Sequence, residues 1–122
     1  MSKKVLIVDD DKLIREQLAV VLEEKGLEID TAPNGKEGLK KALAGGIDLV
    51  VSDIRMPELD GLQMVKKIRE DENGKNLPIV ILSVDEAATS INQALASGVT
   101  VYLTKANISP EDIAEQILTA LQ

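Results

Sequence analysis

The chain has 122 residues and contains neither cysteine nor histidine. Those absences exclude disulfides, thiol redox chemistry and zinc sites built on sulfur or imidazole. They also exclude every Ser-His or Cys-His nucleophile pair. Aromatic side chains are reduced to one, Tyr102. No apolar run is longer than a strand, so nothing reads as a membrane span, and no secretory leader precedes the first run. A cytoplasmic protein is expected. Basic residues are outnumbered, and the net charge of -7 sets the surface against nucleic acid and anionic membranes.

What is present describes a folded domain. Hydrophobic residues make up 44% and charged residues 29%, which argues against disorder. The length suits one core and not two, so the expectation is a single domain over residues 1–122 with no effector domain. With nitrogen and sulfur ligands missing, metal work falls to carboxylate and carbonyl oxygens, which suit hard cations such as Mg²⁺.

Apolar runs and amphipathic stretches alternate five times. Residues 5–8 form a short continuous apolar run, read as a strand buried on both faces, and 28–32, 47–52, 77–82 and 99–104 are the other four strands. Asp11 can cap the first helix, where Leu13, Leu18, Val21 and Leu22 recur at near-helical spacing before Lys25-Gly26. Asn34 with Glu37 and Asp60 with Gln63 start the second and third helices. Gly45-Gly46 ends the second and Asn73-Gly74 the third. The fourth helix runs to Ser97-Gly98. Ser109-Pro110-Glu111-Asp112 opens the fifth with a cap, a first-turn proline and acids suited to the helix dipole. Five such units predict an α/β doubly wound parallel sheet with right-handed crossovers. Rossmann-like and flavodoxin-like strand orders both satisfy the alternation, and both bind ligands beyond the carboxyl ends of the central strands.

Strand one ends in Asp9-Asp10-Asp11, strand three in Asp53, strand four in Ser83 and strand five in Lys105. If strands one and three are neighbours, several carboxylates converge, and a divalent cation with oxygen ligands is the economical way to neutralise them. Lys105 and the Ser83 hydroxyl add a point charge and a donor for an anion. Together these groups describe phosphoryl transfer onto an aspartate. Plainer readings stand beside this one. Asp11 is a helix cap, Ser83 with Glu86 is an alternative capping box, Tyr102 alone is a half-buried strand residue, and Asp60-Gly61 are a cap and a turn.

The segments VLIVDDD, LVVSDIRMPELDG, PIVILS and YLTK fall in that order, one at each of four strand ends. On these motifs the chain closely resembles the receiver domain of two-component response regulators, of the chemotaxis-regulator kind, over essentially its whole length. The resemblance implies a flavodoxin-like sheet of five strands in order 2-1-3-4-5 with five helices. It also implies phosphorelay signal transduction by a phosphoprotein that carries an aspartyl phosphate. Asp53 would be the phosphoacceptor, supplied by a histidine kinase or a phosphotransfer protein. Asp10, Asp53 and the backbone carbonyl of Arg55 would bind Mg²⁺, with Asp9 helping directly or through water. Lys105 would pair with phosphoryl oxygens, Ser83 would turn to hydrogen-bond them, and Tyr102 would follow inward. That movement would remodel the face of helix four, strand five and helix five for a downstream protein or a dimer formed on phosphorylation. Such a chain is no enzyme beyond assisting its own phosphorylation and dephosphorylation.

The chain departs from the family pattern in two places. Ala106 follows Lys105 where the family usually has a cis proline. Because a cis bond before alanine costs roughly 2.5–4 kcal/mol, a trans peptide is predicted. Thr100-Val101 stands where small or acidic residues are common, and Val101 is expected to make the output face more apolar. Three competing readings remain. A nucleotide- or flavin-binding domain needs a glycine- or hydroxyl-rich loop after strand one, where three aspartates stand. A pseudo-receiver scaffold would keep the fold without phosphorylation. A Mg²⁺-dependent phosphatase would need a general acid that no residue evidently supplies.

Overall fold

The computed structural model describes residues 2–122. Along the chain it forms β1 (Lys4–Val8), α1 (Lys12–Glu24), β2 (Glu28–Ala32), α2 (Gly35–Leu43) and β3 (Leu49–Ser52). These are followed by α3 (Gly61–Glu70), β4 (Ile79–Ser83), α4 (Ala88–Ala96), β5 (Val101–Thr104) and α5 (Pro110–Ala120). The strands are all parallel, in the order β2-β1-β3-β4-β5. That is the flavodoxin-like order, and it resolves the choice that alternation alone left open.

Continuous apolar strands are what a sheet covered on both faces requires. Alternate side chains of the central strands feed two separate clusters. Leu6, Val8, Val50, Ile79 and Ile81 join Met64 and Ile68 of α3 and Ala42 of α2. Val5, Ile7, Leu49, Val51 and Leu82 join Leu18 and Leu22 of α1 and Ile117 of α5. Of the spaced residues of α1, Leu18 and Leu22 are buried and Val21 is half-buried, while Leu13 in the first turn stays exposed.

The sequence-based helix starts are realised by side-chain caps. Asp11 accepts from the Leu13 and Ile14 N–H groups, and Asn34 from that of Glu37. Asp60 with Gln63 and Ser109 with Asp112 form reciprocal capping boxes. Several boundaries fall short of expectation for identifiable reasons. The third helix stops at Glu70, because the Asp71 side chain instead caps a separate 3₁₀ turn at Glu72–Gly74. The fourth strand begins after Pro78, which has no N–H to give the ladder. The fifth begins at Val101, because the Ile79 N–H is taken by the Thr100 hydroxyl at 3.0 Å. Val101 is half-buried against the α1/α5-side cluster, so its apolar character is directed inward rather than onto an outer patch.

Candidate functional site at the carboxyl ends of the strands

The register carries the site. Val8 lies opposite Ser52, so the residues that follow, Asp9 and Asp53, leave the sheet side by side. Their backbones continue the ladder, Asp53 N–H donating to the Val8 carbonyl at 3.1 Å and Asp9 N–H to that of Ala32 at 3.2 Å. On the other flank Ser83 lies opposite Thr104, which brings Ser83 level with the residue before Lys105.

Asp9 is buried, Asp53 half-buried and Asp10 exposed, and each can aim one oxygen so that all three lie within 4.8 Å of one another. The Lys105 ammonium spans two of them, 3.4 Å from Asp9 Oδ2 and 3.3 Å from Asp53 Oδ2. One lysine against three carboxylates leaves a surplus of negative charge. The donor set is oxygen only, which fits a hard divalent cation. Asp9 carries the clearest electrostatic signature. Burial pushes its carboxyl above the ordinary range, and the nearby Asp53 carboxylate adds to the rise. The Asp11 N–H and Lys105 act in the opposite direction.

The surrounding loops fix these acids. Asp9 Oδ1 accepts from the Asp11 N–H at 2.9 Å, and Asp53 Oδ1 from the Ile54 N–H at 2.7 Å. Arg15, one turn into α1, donates to the Asp9 carbonyl at 2.7 Å and ties the acidic loop to the helix. Gly61 is more than a turn residue. A β-carbon there would collide with the Asp53 carbonyl oxygen, so only glycine lets α3 start this close to the acid. The loop between them turns tightly, with Glu58 at φ 68° and the Leu59 N–H donating to the Pro57 carbonyl at 2.9 Å. That is a strained arrangement of the kind found beside working sites.

Lys105 holds its position with no cis peptide among the described residues, in keeping with the trans bond expected before Ala106. Arg55 lies in the loop two residues past Asp53, its side chain exposed. Ser83 is buried, and its hydroxyl accepts from the Asp85 N–H at 3.1 Å. Since α4 starts only at Ala88, Ser83 is not its cap, and the alternative pairing with Glu86 does not describe the helix start. Tyr102 is half-buried against the α2/α3-side cluster and donates its hydroxyl to the Asp85 carbonyl at 2.8 Å. Sequence reasoning therefore passed over Arg15 and Asp85. The only signal either gives is its offset, one helical turn past Asp11 and two residues past Ser83.

A profile of the response regulator receiver domain matches residues 5–118. The chain is 33% identical over all its 122 residues to the transcriptional regulatory protein SrrA of Staphylococcus aureus, and spans 49% of that protein's length. The chemotaxis response regulator CheY4 of Vibrio cholerae is similar in structure, with a TM-score of 0.91 and 32% identity over 98% of this chain and 99% of that one. The receiver domain of the sensor histidine kinase PA1611 of Pseudomonas aeruginosa shares the fold at a TM-score of 0.89 and 22% identity, over 99% and 98% of the two chains. It is described with a magnesium ion coordinated in its active-site cleft. A match that runs from the first strand into the last helix takes in the whole sheet and both of its helical layers, and the chain belongs to the receiver domain family of two-component response regulators.

Proposed function

We propose that this chain is a phosphoacceptor switch in which Asp53 takes a phosphoryl group from a phosphohistidine on a histidine kinase or phosphotransfer protein. The observation that carries the reading is the convergence of Asp9, Asp10 and Asp53 with Lys105 bridging two of the three acids. An Asp53 oxygen forms the bond to phosphorus while the bond from phosphorus to the donor nitrogen breaks. The donor imidazole keeps the electron pair and takes a proton from solvent. Asp53 Oδ1 is tethered by the Ile54 N–H, which holds the carboxylate in one orientation for that attack. Lys105 then exchanges a carboxylate partner for a phosphoryl oxygen and offsets the added charge.

Asp9, Asp10, Asp53 and the backbone carbonyl of Arg55 would hold Mg²⁺, as PA1611 holds magnesium in its cleft, and the ion would supply charge neutralisation on the phosphoryl oxygens. The Ser83 hydroxyl turns to the phosphoryl group, Tyr102 follows, and the face of α4, β5 and α5 changes for a downstream protein. The chain assists only its own phosphorylation and dephosphorylation, and we take residues 1–122 as one receiver unit.

The test is incubation with Mg²⁺ and acetyl phosphate followed by intact mass measurement. Wild type is expected to gain one phosphoryl group, and Asp53→Ala to gain none. A wild-type chain that stays unmodified under conditions that modify another receiver would leave a scaffold that keeps only the fold.

A further inference from the structure

The loop between β4 and α4 contains a carboxylate that the acidic cluster and Lys105 do not use. Asp85 is tied in four directions. Its backbone N–H donates to the Ser83 hydroxyl at 3.1 Å, and its carbonyl accepts from the Tyr102 hydroxyl at 2.8 Å. One carboxylate oxygen accepts from the Ala87 N–H at 2.9 Å, the other from the Ser90 hydroxyl at 2.6 Å. Its main chain thus touches both residues assigned to the switch, while its side chain holds the start of α4.

Ala87 occupies the N-cap position and makes no side-chain cap hydrogen bond, and Ala94, near the other end, is the one buried residue among those described in α4. The N–H groups at a helix start need acceptors, and here the carboxylate reaches forward from the loop to take the N-cap N–H of Ala87 and, in the first turn, the Ser90 hydroxyl. The Ser90 hydroxyl and the Ala87 N–H, with Arg55 nearby, hold the Asp85 carboxyl below the ordinary carboxylate range, so at neutral pH it is ionised and purely an acceptor.

We propose, resting on the switch reading above, that Asp85 is the positioning residue that couples Ser83 and Tyr102 to the first turn of α4. When Ser83 turns its hydroxyl to a phosphoryl oxygen, the Asp85 N–H loses its acceptor and the residue must shift. The shift moves the carbonyl that Tyr102 holds. Through the carboxylate it also pulls on Ala87 and Ser90. One residue in motion therefore reaches the strand-five aromatic and the helix together. The role requires an acceptor at the side chain and not a charge. Asparagine can serve it, its carbonyl oxygen accepting from Ala87 and its amide donating to the Ser90 hydroxyl.

The composition supplies a clean probe, because Tyr102 is the only aromatic residue and the near-ultraviolet signal comes from it alone. The experiment compares wild type, Asp85→Ala, Asp85→Asn and Ser90→Ala, before and after acetyl phosphate with Mg²⁺. Phosphorylated fraction is read by intact mass, Tyr102 by emission, and the first turn of α4 by hydrogen exchange. In unmodified protein, exchange in that turn is expected to be about five- to tenfold faster in Asp85→Ala than in wild type, with Asp85→Asn close to wild type. Ser90→Ala should gain the phosphoryl group as wild type does. On phosphorylation the Tyr102 signal and α4 exchange should change together in wild type and Asp85→Asn, and α4 should no longer respond in Asp85→Ala. The proposal is overturned if Asp85→Ala leaves α4 exchange at the wild-type level or keeps the joint response. It is also overturned if Asp85→Asn behaves as alanine, since charge would then be the working feature. Absence of phosphoryl gain in wild type would remove the switch reading, while the exchange comparison in unmodified protein would still decide the role of Asp85 at the helix start.

Discussion

Arg69 is the residue whose removal should cost this fold most for the least change in shape. It projects from the last turn of α3 and donates to three backbone carbonyls that belong to separate segments. Nε and Nη2 reach the Gly98 carbonyl at 3.0 and 2.8 Å, and Nη1 reaches those of Gly74 and Leu77 at 2.7 and 2.6 Å. Among the described residues no acid pairs with it, and burial lowers its guanidinium from the ordinary value, the mark of a charge taken partly out of water. The clamp joins α3, the 3₁₀ turn, the lead into β4 and the turn after α4. Hydrogen bonds from a charged donor contribute about 1.5–3 kcal/mol each, and an acceptor stranded without a partner costs about 1–3 kcal/mol. Water can reach part of this half-buried site, so Arg69→Met is expected to lose about 3–5 kcal/mol. With a urea slope of about 1–3 kcal/mol per molar, the unfolding midpoint should fall by roughly 2 M at unchanged slope. Arg69→Lys should recover less than half, because a point ammonium cannot span the three carbonyls that a planar fork reaches. Phosphorylation of Asp53 in the folded fraction should persist, since the clamp sits at the opposite end of the sheet from the acids. A midpoint shift below about 0.5 M for Arg69→Met would refute the reasoning.

Two other perturbations test the site. Burial raises the folded pKa of Asp9 above its ordinary value. Native protein therefore binds the extra proton, and metal-free stability should rise as pH falls from neutral toward that value. Asp30 and Asp85 are depressed instead, by Lys41 and the Thr31 N–H outweighing burial in one and by Ser90 and Ala87 in the other. Their contributions are present above the unfolded pKa and lost as pH falls through the folded one, whereas the gain that Asp9 brings to metal-free stability as pH falls in EDTA should flatten in Asp9→Asn. The same variant should lose most of the Mg²⁺ stabilisation of wild type, about 2.7 kcal/mol at a hundred times the dissociation constant, which thermal unfolding with and without the ion would read. Gly61→Ala should destabilise by about 1–3 kcal/mol and slow phosphoryl gain, because the new β-carbon competes for the space of the Asp53 carbonyl. Equal phosphorylation rates in that variant and wild type would count against the close approach of α3.

The amino-acid sequence by itself determined the parts of this protein that depend on neighbours along the chain. The capping boxes at Asp60 and Ser109 and the caps at Asp11 and Asn34 are contacts within one turn, so their residues announce them. The apolar runs announce the strands for the same reason. A family resemblance carried by four strand-end motifs added the strand order, which the β-α alternation left open between two architectures. Tertiary structure decided what depends on pairing across the sheet. Whether Asp9 stands beside Asp53 follows from the Val8–Ser52 register, and no residue between positions 9 and 53 encodes that register locally. Leu13 has the spacing of a core residue, yet in the first turn of α1 it remains in water. Ser83 could have capped the fourth helix, and the path of the loop gave its hydroxyl to the Asp85 N–H while the helix starts only at Ala88. Arg69 is the extreme case, because its partners are backbone carbonyls, present in every residue and therefore invisible in the side-chain sequence. Only the folded chain brings three of them to one guanidinium.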